Sequence, residues 1–172
     1  MGAVNQKNIL PPPWLPELAS VNGQWELVLK ALYGIFERDF VRGGCYFQGF
    51  AVRWDRRKLG GDRYEEGFWH LITKMDKLSG ERLFDPRRAE RLPWCKPTLT
   101  HSADPEVKAW DYRESDGVVS TYVWLENWDY VVILRKRQQD RGVVAFLVTA
   151  YHVDYNSTRR NLRAKLAKRE EL

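Results

Sequence analysis

Residues 118–153, VVSTYVWLENWDYVVILRKRQQDRGVVAFLVTAYHV, decide the fold class. Three runs rich in β-branched and aromatic residues, Val118–Leu125, Tyr130–Arg137 and Val143–Val153, are separated by Asn127-Trp128-Asp129 and by Gln138-Gln139-Asp140-Arg141-Gly142. Runs of this kind, punctuated by Asn, Asp and Gly, read as strands joined by tight turns. Links this short return the chain on itself, so neighbours pair antiparallel. A fourth run upstream, Val107–Tyr112, precedes Ser115-Asp116-Gly117, so the C-terminal half is expected to be a four-strand meander.

Working outward, Trp25, Val28, Leu29, Leu32, Ile35 and Phe36 recur at three- and four-residue steps. That spacing gives one apolar face and predicts a helix from Ser20 or Asn22 to about Phe40. Arg42-Gly43-Gly44 ends it. Cys45 to Trp54 reads as one further strand. Phe68 to Thr73 fits a short helix or a strand, and its pattern does not decide between them. Asp85-Pro86 starts a helix over Arg87 to Trp94, with proline at the first helical position. Asn156 or Ser157 caps a last, basic helix from Thr158 to about Lys168. Residues 1–19, with Pro11-Pro12-Pro13, Trp14 and Pro16, form a Pro-rich arm, extended like polyproline. Residues 20–172 form one domain. The expected class is α+β: a single antiparallel sheet of four to five strands, packed with N-terminal and C-terminal helices that lie largely on one face.

With 44% hydrophobic residues in 172, the chain can build a real core. Lys and Arg number 28 against 23 Asp and Glu, a net charge of +5, which favours a polyanionic partner only modestly. Cys45 and Cys95 stand far apart, without a CxxC pair or a histidine at ligand spacing, so neither a zinc site nor a disulfide scaffold is indicated. No metal and no cofactor is expected. There is no Walker phosphate loop, no dinucleotide glycine motif, no nucleophile elbow and no HExxH pair. The N-terminus lacks the apolar run of a signal peptide, and no stretch is long and apolar enough to span a bilayer. The expected setting is the cytoplasm, with no membrane partner.

Chemistry concentrates in two segments. Glu65-Glu66-Gly67-Phe68-Trp69-His70-Leu71-Ile72-Thr73 places an imidazole among aromatic residues, and an imidazole moves protons near neutral pH. Pro86-Arg87-Arg88-Ala89-Glu90-Arg91-Leu92-Pro93-Trp94 supplies three guanidinium groups, which can hold a phosphate through paired hydrogen bonds. Arg87 and Arg91, four apart, share a helix face. The competing reading of His70 is a packed ring with both nitrogens satisfied, and that of the arginines is surface ion pairs with Asp85 and Glu90. On the last strand, alternation puts Thr149, Tyr151 and Val153 on one side and Ala150 and His152 on the other. Thr149 and Tyr151 then serve as phosphate donor and as acid or stacking group, unless Tyr151 faces the core. His152 ranks below His70, and His101 sits in a loop. Arg56-Arg57-Lys58-Leu59-Gly60-Gly61-Asp62-Arg63 is a basic loop that can touch a nucleic-acid backbone or merely face solvent.

The segments Glu66–Thr73, Arg87–Trp94 and Phe146-Leu147-Val148-Thr149-Ala150-Tyr151 resemble the barnase–EndoU–colicin–RelE group of metal-independent ribonucleases, and most closely its phage-associated, barnase-like branch. The likeness spans about residues 20–168, with the three motifs in the expected order. It implies an endoribonuclease that cleaves by attack of the 2′-hydroxyl, leaving a cyclic phosphate, and often serves as a toxin. By motif position it implies His70 as acid or base and Arg87, Arg88 or Arg91 as the arginine of the insert, of which Arg88 and Arg91 would stabilise the crowded phosphate. Thr149 and Tyr151 would orient the phosphate and the leaving group. Arg56, Arg57, Lys58, Arg63, Thr73, Arg87 and Trp94 would contact the RNA. An acidic antitoxin or immunity protein is the implied protein partner. The chain departs from barnase in lacking a glutamate base on a central strand, since Glu126 ends its strand. Outside the enzyme class, the same composition fits a non-catalytic RNA-binding module or a protein-interaction factor using the proline arm.

Overall fold

The computed structural model describes residues 9–171. The helices are α1 (Trp25–Phe36), α2 (Glu66–Ile72), α3 (Pro86–Glu90), α4 (Cys95–Thr100) and α5 (Asn156–Ala167). The strands are β1 (Tyr46–Phe47), β2 (Phe50–Arg53), β3 (Thr73–Met75), β4 (Arg82–Phe84), β5 (Lys108–Arg113), β6 (Val119–Leu125), β7 (Tyr130–Gln139) and β8 (Gly142–His152). The class is α+β.

Strands β5 to β8 form the meander, each pairing antiparallel with the next. The sheet is larger than expected and mixed. It has six strands in the order β1-β2-β8-β7-β6-β5, and β2 runs parallel to β8 through Val52↔Ala145 and Arg53↔Phe146. A four- to five-stranded antiparallel sheet is therefore not what forms. The cause is long-range: β2, from the N-terminal half, docks beside the last strand, and no local pattern announces a partner so distant in sequence. The single strand expected over 45–54 is also split. Gln48 (φ 49°) and Gly49 (φ 84°) are both left-handed, the geometry of a two-residue primed turn, and they fold β1 back on β2. A separate two-stranded ribbon, β3–β4, projects from the end of α2.

The sheet buries both faces. On one face, Val28, Leu29, Leu32 and Phe36 of α1 and Phe68, Leu71 and Ile72 of α2 pack on Val123, Leu125, Val132, Leu134, Leu147 and Ala150. On the other, Leu162 of α5 closes a smaller cluster of Trp110, Tyr122, Trp124, Val131 and Val153, with Tyr151 and Leu166 against it. Helices thus occupy both sides, because alternate residues of β6 and β7 are apolar in both directions. Past Phe36 the helix continues as a wider π turn over Glu37–Arg42 and stops at Gly43, where a Cβ would lie 2.6 Å from the Arg38 carbonyl.

Asp85 caps α3 by accepting hydrogen bonds from the Arg87 and Arg88 amides at 3.0 and 3.3 Å. The helix ends sooner than Trp94, in a 3₁₀ turn over Leu92–Trp94, and α4 follows at once. From Pro12 onward the proline arm lies on the domain. The Trp14 indole donates to Asp104 at 2.9 Å and stacks on His101, the Trp94 indole donates to the Pro16 carbonyl at 2.8 Å, and the Ala19 amide donates to Glu90 at 2.8 Å. Residues 1–8 of that arm lie outside the described residues. No helix among those described is long and apolar enough to cross a membrane.

Candidate active site

The site forms where the sheet is locally incomplete. Strand β2 ends at Arg53, so its pairing with β8 stops at Phe146. At the next residues β8 bulges: Ile133 pairs Thr149 but Leu134 pairs Leu147, leaving Val148 without an opposite residue on β7. A bulge re-aims backbone groups and is common beside functional sites. Here the Val148 carbonyl meets the His70 ring, with Nδ1 at 3.3 Å. Helix α2 reaches this position because Gly67 lets it close on the exit of β2. The Gly67 amide donates to the Asp55 carbonyl at 2.9 Å, and a Cβ there would sit 2.8 Å from Trp54.

Two partners bear on the form of the His70 ring. The Val148 carbonyl only accepts, which suits a proton on Nδ1. Nε2 lies 3.0 Å from Arg82 Nη2, and a guanidinium only donates, which suits a lone pair on Nε2. Glu66, one helical turn earlier, holds Arg82 Nη1 at 2.9 Å and lies 3.5 Å from Nε2. The side chain is 36% exposed, so the ring is neither sealed in the core nor free in solvent.

Arg88 binds the pieces together. Its Nη1 donates to the Thr73 carbonyl at 2.8 Å and the Thr149 hydroxyl at 3.2 Å, and approaches the His70 carbonyl at 3.5 Å. The Thr149 hydroxyl in turn donates to the His70 carbonyl at 3.1 Å. Helix α3, the end of α2 and strand β8 are thereby locked around one guanidinium. Burial pushes the Arg88 pKa below its ordinary value, and the nearby Asp85 carboxylate opposes the shift. Tyr151 lies on the same sheet face as Thr149, with the Arg88 guanidinium 5.4 Å from its ring centre. Burial raises the Tyr151 pKa although Arg88 pulls the other way.

Beside His70 opens a cleft of about 550 Å³ lined by Trp54, Asp55, Arg56, Arg57, Arg135, Arg137, Phe146 and Val148. Arg57 is held by Asp55 at 2.6 Å. No carboxylate lies within ion-pair distance of Arg56, Arg135 or Arg137 among the described residues. Arg56 stacks on Trp54 and Arg137 on Phe146, the latter at 3.8 Å. Arg135 Nε is buried without a hydrogen-bond partner among those residues. An uncompensated cationic wall beside an imidazole can receive a phosphodiester.

Of the residues singled out in the sequence, Arg88, Thr149 and Tyr151 gather at the His70 backbone carbonyl rather than its ring, and of these four only His70 lines the cleft, with Arg56 and Arg57. Thr73 is buried beneath them, its hydroxyl on the Trp69 carbonyl. The others lie elsewhere. Arg91 turns to Glu90 at 2.5 Å and stacks on Trp94, which is buried under the proline arm. Arg87 pairs with Asp154 at 3.1 Å, which also holds His152. Arg63 lies over the Tyr64 ring, and neither it nor Lys58 lines the cleft. Sequence reasoning missed Glu66, Arg82, Arg135 and Arg137. Glu66 was detectable, since a carboxylate four residues before a histidine on a helix faces it. Arg135 and Arg137, alternate residues of the Arg135-Lys136-Arg137 run that follows the apolar Val131–Leu134 stretch of β7, share one sheet face and were a second usable signal. Arg82 gave none. No protein-family model, curated protein or solved structure matches this chain, so the reading of the site rests on its own chemistry.

Proposed function

We propose that this protein is a metal-independent endoribonuclease of the barnase–EndoU–colicin–RelE type, toxin-like in role. The observation that carries the reading is the partly exposed His70 imidazole on the rim of a cleft walled by unpaired guanidinium groups. In the proposed reaction the 2′-oxygen bonds to phosphorus, and its proton passes to His70. The P–O5′ bond breaks, a 2′,3′-cyclic phosphate remains, and the departing 5′-oxygen takes a proton from water in the open cleft. Arg135 and Arg137 bind the backbone, and Arg56 and Arg57 extend that grip. Arg88 and Thr149 act chiefly by fixing the backbone of His70, with Tyr151 as the wall beside them. The same positive wall suits an acidic inhibitor protein.

The test is incubation of end-labelled RNA with the protein in EDTA. The wild type should shorten the RNA and leave cyclic phosphate ends, and His70→Ala should leave it intact. Intact RNA with the wild type would end the proposal, and unchanged cutting by the variant would remove His70 from it. One observation favours a non-catalytic RNA-binding module instead: both ring nitrogens of His70 already have protein partners. That reading requires RNA to be bound, salt-sensitively, and released whole.

A further inference from the structure

The contact that occupies His70 Nε2 also gives the ring a direction. The ribbon β3–β4 forms a separate sheet whose Phe84 packs against the main core, and it is anchored at its base by the Asp85 amide on the Ile72 carbonyl at 2.9 Å. Its Arg82 spans two groups, with Nη1 on Glu66 and Nη2 on His70 Nε2. Free imidazole divides its proton between the two nitrogens. Here the guanidinium can only donate, so it favours the ring that keeps its lone pair on Nε2. Without Arg82, the carboxylate 3.5 Å away would favour a proton on that same nitrogen.

We propose that Arg82, held by Glu66, is the positioning residue that sets His70 as a base: proton on Nδ1, lone pair on Nε2, ready for a 2′-hydroxyl. Arg82 does not line the cleft walled by Arg135 and Arg137, but at 3.0 Å from Nε2 it is the guanidinium that a phosphate reaching that nitrogen draws away. A phosphodiester oxygen accepts from a guanidinium better than a neutral imidazole does, because it is charged. Binding of the backbone therefore transfers Arg82 from Nε2 to the phosphate and exposes the lone pair at the moment substrate is present. The proton then has one destination, Nε2, and the resulting imidazolium faces Glu66 on its own helix. The other charged groups around the ring are Asp55 with Arg57 from the loop after β2, Arg88 from α3, and Arg135 and Arg137 from β7. The assignment of the base step rests on the ribonuclease reading; the placement of the proton does not.

The experiment is nitrogen NMR of the histidine rings in the ¹⁵N-labelled full chain at neutral pH, with His70→Gln identifying the His70 signals. The wild type should show a protonated Nδ1 and an unprotonated Nε2. In Arg82→Gln the population should move toward a protonated Nε2, while the rings of His101 and His152 stay unchanged and report an intact fold. Inorganic phosphate added to the wild type should shift the Nε2 signal, which needs no variant to fold. A wild-type ring protonated on Nε2, a tautomer indifferent to Arg82→Gln, or an Nε2 blind to phosphate would each overturn the proposal. RNA cleavage by the same samples separates the two ideas. If RNA stays whole while the tautomer responds, the nuclease reading falls and the Arg82 assignment stands. If RNA is cut while the tautomer ignores Arg82, the reverse holds.

Discussion

The sheet face opposite the main core has two halves built from the same strands and treated in opposite ways. Toward the C-terminal end of β8, helix α5 covers it. Leu162 and Leu166 sit on Trp110, Tyr122, Trp124 and Tyr151, and the edge is stitched by ion pairs. Lys165 donates to Glu114 at 2.8 Å and to the Tyr122 hydroxyl at 2.7 Å, while Arg163 holds Glu126 at 2.6 Å. Toward the start of β8 the face is open, and the outward residues of β7 change from Val131 and Ile133 to Arg135 and Arg137. The covered half satisfies its charges internally, whereas the open half leaves cations without partners. That difference teaches where stability and where function reside. Burial and pairing stabilise the first, and the second keeps unspent binding capacity at some cost in self-repulsion.

The boundary between the halves is Arg88, and removing it should have the largest effect. Arg88→Ala is expected to destabilise the fold by about 3 kcal/mol, because it breaks a largely buried charge network and frees the Thr149 and Thr73 contacts. Urea unfolding measures this, and a loss under about 0.5 kcal/mol would show that the halves are not joined through Arg88. Leu162→Ala should cost about 2–3 kcal/mol by opening a cavity under α5. The same variant should leave RNA cleavage per folded molecule intact; a parallel loss of activity would erase the distinction between the halves.

Acid should act on the covered half first. Burial pushes the Glu114 carboxyl up, but hydrogen bonds from Lys165 and Tyr122 outweigh it, and the net pKa is depressed. Glu126 is depressed in the same way, by Lys108 and Arg163 against its own burial. A depressed carboxylate contributes stability that is complete above its unfolded value, about 4.3, and is lost as pH falls through the folded value. Amide exchange in α5 should therefore accelerate below about pH 4 before exchange in α1 does. Simultaneous loosening of both helices would contradict the scheme. The smallest effect belongs to the open half: Arg135→Ala and Arg137→Ala should each lower the salt slope of RNA affinity by about 0.7, the value for one single-strand phosphate contact, with little change in stability. An unaltered slope would take that arginine off the RNA path.

Much of this architecture was legible one segment at a time. The meander followed from its turn residues and α1 from its apolar spacing. The start of α3 followed from Asp85-Pro86. Each of these rests on neighbours within a few residues, where steric preference and hydrogen bonding act locally. What the sequence by itself did not determine was long-range. The docking of β2 parallel to β8 depends on two segments with no shared local signal. The bulge at Val148 exposes its carbonyl only because β2 has ended. Arg91 fits a phosphate-binding pattern as well as Arg88 does, and only packing turns one toward Glu90 and the other toward Thr149. The meeting of Arg82 with His70 required α2, its ribbon and β8 to be assembled together. Such contacts cost chain entropy and are repaid only by the complete core, so they belong to the tertiary structure and not to any stretch of residues read alone.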